Sequence, residues 1–143
     1  MKNEIKTGTE FDADLAMVDI AGAIYVAVSH LNNLYVSIHP AVWHENDAAE
    51  AKRISAEVKS IIDNLQNTEE RFVLFEELPY DLLDREIDHL NNLYSSIHPD
   101  IVWHENDAAE ARRISSEIEF IKNKLIYIKA LGYKLDAYRD ENE

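Results

Sequence analysis

The sequence predicts an all-α fold, a four-helix bundle, on three observations. Apolar residues recur at three- and four-residue steps along most of the chain, which is the spacing of one helix face. The chain has only three glycines and three prolines, too few for a fold rich in β-turns. Two segments, residues 30–65 and 89–125, repeat one another with 26 identities over 36 aligned positions. We therefore expect one domain over residues 1–143, made of two sequence-repeated helical hairpins.

The first hairpin is predicted from two apolar stripes separated by a proline. The first helix should end before Pro40, because proline disfavours the helical conformation in the preceding residue. The second helix should begin at Asp47, with Glu50 three residues later in the pattern of a capping box. The two stripes are Met17, Ile20, Ile24, Val28, Leu31, Tyr35 and Ile38, and then Ala51, Ile54, Val58, Ile61 and Leu65.

The second hairpin repeats the scheme, with Pro99 after its first helix and Asp107 at the start of its second. The last stripe runs for nearly 30 residues, about 45 Å at the helical rise per residue. Since the shorter helices are not expected to cover it, this helix either bends near Gly132 or packs its end on another subunit. We expect the second arrangement, an oligomer interface in a homodimer. The stripes are Tyr80, Leu83, Ile87, Leu90, Tyr94 and Ile97, and then Ala111, Ile114, Ile118, Ile121, Leu125, Ile128, Leu131, Leu135 and Tyr138.

The charge of the chain is strongly acidic and unevenly placed. With 14 basic and 28 acidic residues, the net charge is −14, which argues against direct binding to nucleic acid or to an anionic membrane. Negative charge concentrates in a connector at residues 66–88, of which residues 67–80 are expected as a short helix or irregular turn, and in a tail at residues 136–143. Such segments suit either docking on a basic surface or simple solubility.

Several classes of protein are excluded by composition. The absence of cysteine excludes disulfide scaffolds, thiol nucleophiles and zinc sites that need sulfur. The most apolar stretch, residues 15–28, is 14 residues long and contains Asp19, so we expect a buried helix rather than a membrane span. The first 14 residues are polar and charged, unlike a signal peptide, so a cytoplasmic location is expected.

The strongest candidate site is the pair of repeated loops between the helices of each hairpin. In an up-down-up-down bundle, the first and third connections lie at the same end, so the two loops should sit side by side. An exposed aromatic ring flanked by polar groups is typical of a protein-binding surface. The loop residues predicted to contact a partner are Trp43, His44 and Glu45 in the first copy and Trp103, His104 and Glu105 in the second.

The same loops admit two other interpretations. Four loop histidines, His39, His44, His98 and His104, have the ligand chemistry of zinc or nickel. Their spacing is five residues in one copy and six in the other, so the two halves of such a site do not superimpose. In the third interpretation, the histidines and tryptophans only close the end of the bundle.

Catalytic patterns are otherwise missing. The serines of the repeats lie in predicted helices without a strained turn nearby. His30 and His89 flank the apolar stripes, where we expect them at the core boundary with one ring nitrogen bonded. Glu86 and His89 form the E-x-x-H step of di-iron bundles, but Ala27 stands at the matching position of the first copy. We therefore expect neither an enzyme nor a bound cofactor.

The function predicted from sequence is that of a non-catalytic, acidic interaction protein. It would bind and inhibit or sequester a macromolecular partner, as inhibitor, immunity or anti-defence proteins of phages and mobile elements do, some by mimicking nucleic acid. A nucleic-acid-binding enzyme is the expected partner. The acidic residues predicted to take part are Glu76, Glu77, Asp81 and Asp84. The alternative is a metal-binding protein, and the repeat itself is either a recent duplication or an old one retained for function.

Overall fold

Four helices make up the part of the chain that the computed structural model describes, which is residues 11–38, 45–97 and 105–142. They are α1 (Ala13–Ser37), α2 (Glu45–Phe75), α3 (Tyr80–Ile97) and α4 (Glu105–Asn142). These ranges contain no strand. The prediction of an all-α fold of four packed helices is confirmed.

The helix boundaries follow from local chemistry. Asp12 caps α1, and its carboxylate accepts a hydrogen bond from the backbone N–H of Leu15 at 3.1 Å. Helices α2 and α4 begin two residues earlier than predicted, so that Asp47 and Asp107 lie inside the first turn rather than at the N-cap.

The end of α2 differs from the expected connector. Instead of a separate short helix or turn, residues 67–75 continue α2, since neither glycine nor proline interrupts them. The helix stops at Glu76, whose φ of 57° is left-handed and whose N–H bonds the Phe72 carbonyl at 2.8 Å. Only residues 76–79 then separate α2 from α3.

The core lies between all four helices, but the helices do not contact each other equally. Helix α1 packs closely on α2 and on α4, and α3 packs on α4, whereas α2 and α3 touch over a much smaller area. The apolar stripes predicted from sequence supply this core. Its fully buried members include Ile20, Ile24, Leu31, Ile54, Ile61, Leu83, Leu90, Ile114, Ile118, Ile121 and Ile128.

Most of the long stripe of α4 is covered by the same chain, although Tyr138, its last member, is 36% exposed. Leu135, near its end, is 2% exposed. Phe11, which precedes α1, lies beside the end of α4. Its ring centroid is 5.4 Å from that of Tyr138. Helix α4 also continues through Gly132. The oligomer interface at α4 stays a prediction.

Helix α1 is the most apolar element. By length and composition alone it passes the test for a membrane span, with a mean hydropathy of 1.4 over 18 residues. Core helices pass the same test, and 39% of that window is buried inside the bundle.

Candidate functional site

The four helices run alternately up and down, so that their ends gather in two groups. At one group, Arg113 of α4 donates to the Ser37 hydroxyl of α1 at 2.9 Å. At the other, Arg139 near the end of α4 lies 3.0 Å from the sulfur of Met17 in the first half of α1. Tyr80, the first residue of α3, donates to Asp136 of α4 at 2.7 Å. The start of α1, the end of α2, the start of α3 and the end of α4 therefore share one end of the bundle.

The predicted loop site falls on residues outside the described ranges. The ends of α1 and α3 and the starts of α2 and α4, which flank the two loops, lie at the bundle end opposite the connector. Glu45 and Glu105 are the first residues of α2 and α4, but their side chains are also outside what the structure describes. The roles of the loop residues stay predictions; these residues are His39, Trp43, His44, His98, Trp103 and His104.

Two repeat-equivalent contacts join the first half of the chain to the second. His30 Nδ1 of α1 lies 3.0 Å from Glu117 Oε1 of α4, and His89 Nε2 of α3 lies 2.9 Å from Glu57 Oε1 of α2. Both histidines sit at the core boundary, as the sequence predicted. The reciprocity of the contacts was not predicted from sequence. Glu57 also pairs with Arg53 of its own helix.

The surroundings of the two histidines differ. The His30 ring lies 4.5 Å from the ring of Phe120, centroid to centroid. Beside His89 lies the carboxylate of Glu86, which is 3% exposed and accepts a hydrogen bond from Asn64 Nδ2 at 2.8 Å. Its other oxygen has no hydrogen-bond partner in the described structure and is 3.6 Å from His89 Nδ1. The polar contacts around His89 and Glu86 thus lie between α2 and α3, where the helices pack least closely.

The acidic segments of the sequence converge on one end of the bundle, which we call the acidic end. Residues 11–14, 69–85 and 129–142 bring eleven carboxylates together with five basic side chains. The carboxylates are those of Asp12, Asp14, Glu69, Glu70, Glu76, Glu77, Asp81, Asp84, Asp136, Asp140 and Glu141. Far apart in sequence, they meet because the bundle folds the connector, the tail and the start of α1 to the same side.

The four carboxylates predicted to bind a partner divide into two pairs. Glu76 is held by Arg139, which donates to its backbone carbonyl at 3.1 Å and to its carboxylate at 3.2 Å. Asp84 binds Lys129, and this hydrogen bond raises the pKa of the lysine. Glu77 and Asp81 are exposed and make no ion pair with any described residue. Glu77 and Asp81 are therefore the pair best placed to meet a partner.

Three consecutive apolar side chains are exposed at the acidic end. Val73, Leu74 and Phe75, the last residues of α2, are 66, 65 and 64% exposed. Val73 and Leu74 also line an open groove along α2 together with Glu69 and Glu70. Sequence reasoning assigned this segment to a connector and missed its exposure. An apolar patch rimmed by carboxylates is typical of an interaction surface.

The connector beside this patch is fixed by close packing. A Cβ atom added to Gly132 of α4 would lie 2.5 Å from Leu78 Cδ1 and 2.7 Å from the Tyr80 hydroxyl, so α4 approaches the connector only because this residue is glycine. The Tyr80 ring stacks on Tyr133 at 4.5 Å. Burial, together with the hydrogen bond to Asp136, raises the pKa of Tyr80 well above its ordinary value. These contacts preorganise the acidic end.

A metal centre finds no support in the described ranges. Among these residues, no group of three or more histidine, aspartate or glutamate side chains is arranged to hold a metal ion. The four loop histidines lie outside the ranges, so the metal alternative stays a prediction.

Comparison of the chain with protein-family models, with curated proteins and with solved structures finds no match. The function is therefore argued from the charge, exposure and packing of this chain itself.

Proposed function

We propose that this protein is a non-catalytic interaction protein that binds a basic surface of a macromolecular partner through its acidic end. The observation that carries the proposal is the exposed Val73–Phe75 patch, which lies beside the carboxylates of Glu69 and Glu70 at the end of the bundle where acidic side chains outnumber basic ones. A surface that only solvates the protein has no need of an exposed phenylalanine, leucine and valine in sequence. Carboxylates speed the encounter with a basic partner, and desolvated apolar side chains supply most of the affinity.

The partner class follows from the same chemistry. Clustered carboxylates repel phosphates but match the lysines and arginines with which a protein holds nucleic acid. A nucleic-acid-binding enzyme would therefore be inhibited or sequestered by occupation of its binding channel. In this proposal the Trp43 and Trp103 loops at the opposite end form a second contact surface, and the protein acts in the cytoplasm as a homodimer.

The two repeats are proposed to form equivalent hairpins. The reciprocal contacts His30–Glu117 and His89–Glu57 support this arrangement, because each histidine reaches the second helix of the other copy.

The test is capture of partners from the native host by the wild-type protein and two variants of equal charge. Glu77→Gln/Asp81→Asn removes two exposed carboxylates from the acidic end. Asp88→Asn/Glu119→Gln removes two from the middle of the bundle, outside both the acidic end and the groove along α2. We expect the acidic-end variant to lose at least about tenfold in affinity and the control to bind like wild type.

The identity of the captured surface is checked by competition. Added double-stranded DNA should displace the partner from the wild-type protein, because both ligands use the same basic surface. Equal capture by both variants, or a partner that DNA does not displace, would contradict the proposal.

A further inference from the structure

Helix α1 presents to solvent a face that is apolar and uncharged. Exposed residues recur along it at steps of three, four and seven, which is the spacing of a coiled-coil seam. Leu15, Val18, Tyr25 and Val36 are 56, 67, 64 and 72% exposed. We call this surface the outer face of α1; its members are Leu15, Val18, Gly22, Tyr25, Ser29, Asn32 and Val36, none of which is charged. It spans about 30 Å and is separate from the core-facing side of the helix.

The equivalent face of α3 is polar. Over the matched residues 30–38 and 89–97, the only difference between the copies is Val36 against Ser95, and both are exposed. When the alignment of the two copies is extended towards the N-terminus, Gly22 aligns with Asp81 and Tyr25 aligns with Asp84. The outward side of α3 therefore carries aspartates at two positions where α1 has Gly22 and Tyr25.

No contact within the chain explains why residue 22 is a glycine. A Cβ atom added there meets nothing within 4 Å, whereas one added to Gly132 collides with the connector. Glycine inside a helix is unfavourable relative to alanine, so its presence on an open face needs another reason. Close approach of a second helix to the backbone is that reason in packed helix pairs.

We infer that a second copy of this chain packs on the outer face of α1, with the two helices crossing at Gly22. A twofold interface needs a patch that is complementary to itself. The outer face of α1 carries both a projection, Tyr25, and a hollow one turn away, Gly22. In two antiparallel helices centred on Gly22, Tyr25 of each copy fills the space beside Val18 of the other. The inference does not rest on the proposed function of the acidic end.

Charge favours a second copy over other occupants. Two chains of net charge −14 repel each other over most of their surfaces, whereas the outer face of α1 is itself uncharged and has carboxylates, those of Asp14 and Asp19, only at its edges. A membrane surface fits less well, because α1 contains no lysine or arginine and its flanks carry Asp14 and Asp19. Amphipathic helices that bind bilayers have basic residues at these places.

The test measures the mass of the protein in solution by light scattering and sedimentation up to about 100 µM, a range that detects weak dimers. The wild-type protein should reach twice the 16.5 kDa of one chain. Val18→Glu/Tyr25→Glu should raise the dissociation constant at least about 30-fold, because it places carboxylates in the contact. Asn91→Glu/Ser95→Glu adds the same charges to the outward side of α3 and should dimerise like wild type.

Gly22→Leu is the second variant. Leucine favours the helix, and its side chain meets nothing in one chain, so the circular dichroism of the monomer should persist while the dimer is lost. A wild-type protein that stays monomeric, or dimers that tolerate both α1 variants, would overturn the inference. The inference would also be overturned if the wild-type protein floats with neutral phosphatidylcholine vesicles and Val18→Glu/Tyr25→Glu does not, because a bilayer would then cover this face.

Discussion

Two exposed apolar surfaces among the described residues, the outer face of α1 and the Val73–Phe75 patch, differ in their charge. The outer face of α1 carries Val18 and Tyr25 and no ionised group, whereas Phe75 at the acidic end stands among carboxylates. An uncharged face can meet a copy of itself without repulsion. A face ringed by carboxylates cannot, and it selects a partner of opposite charge. The difference teaches that one small protein can separate self-association from partner binding by the placement of charge alone.

The salt dependence of binding should distinguish the two surfaces most strongly. Raising the NaCl concentration from about 50 mM to about 500 mM shortens the screening length, so partner binding at the acidic end should weaken at least about 100-fold. Self-association should not weaken over the same range, because apolar burial is not screened whereas the repulsion between two chains of net charge −14 is. Titration calorimetry and sedimentation measure the two constants. A parallel loss of both would remove the distinction.

Phe75→Ser should reduce partner affinity by about 10- to 30-fold, as expected for an aromatic side chain buried on binding. Because Phe75 is mostly exposed in the free chain, the free energy of unfolding should stay within about 0.5 kcal/mol of wild type. Val18→Ser is the matched control on the outer face of α1, and it should leave partner affinity unchanged. An unfolding free energy that falls with Phe75→Ser would show that the ring packs within the chain.

Replacing Gly132 or Gly22 with alanine should change the free energy of unfolding in opposite directions. Gly132→Ala should lower the free energy of unfolding by about 1–3 kcal/mol, since Leu78 and Tyr80 must move to admit the methyl group. Gly22→Ala should raise it by about 0.5–1 kcal/mol in the monomer, because its Cβ meets only solvent and alanine favours the helix. Urea unfolding of dilute protein measures both changes. Destabilisation by Gly22→Ala would mean that this position packs within one chain.

The smallest effect concerns Tyr80, whose hydroxyl binds Asp136 across the acidic end. A pKa raised in the folded state gives stability that is present below the pKa of the unfolded chain, near 10.0, and is lost as pH rises above it. Tyr80→Phe should be less stable than wild type at pH 8, by about 0.5–1.5 kcal/mol. The difference should shrink above pH 10 in urea titrations. A difference that is constant with pH would contradict the role of this bond.

The fold could be predicted in outline because each helix buries one stripe of regularly spaced residues. Ile54 and Ile114, for example, were placed on core faces by spacing alone and are fully buried. The course of residues 67–75 was not predicted, since an acidic run with Val73 and Phe75 is compatible with either a turn or a continued helix. Nothing in the sequence showed that these apolar side chains lie outside the core.

The contacts between distant segments needed the structure. The up-and-down topology that places the two repeated loops at one end also places the connector, the tail and the start of α1 at the other, so the acidic end was implicit in the predicted fold. The pairing of His30 with Glu117 was not, because a contact across 87 residues depends on how the helices pack. The outer face of α1 was likewise hidden, since its apolar residues lie beside those of the core stripe along one helix.

Hydroxyl-radical footprinting of side chains tests the separation of the two surfaces most directly, because it measures the solvent exposure of each residue in the intact protein. Binding of the captured partner should reduce labelling of Leu74 and Phe75 and leave Tyr25 unchanged. Raising the concentration of the protein alone should reduce labelling of Tyr25 and leave Phe75 unchanged. Protection of Tyr25 by the partner, with Phe75 still labelled as in the free protein, would contradict the account.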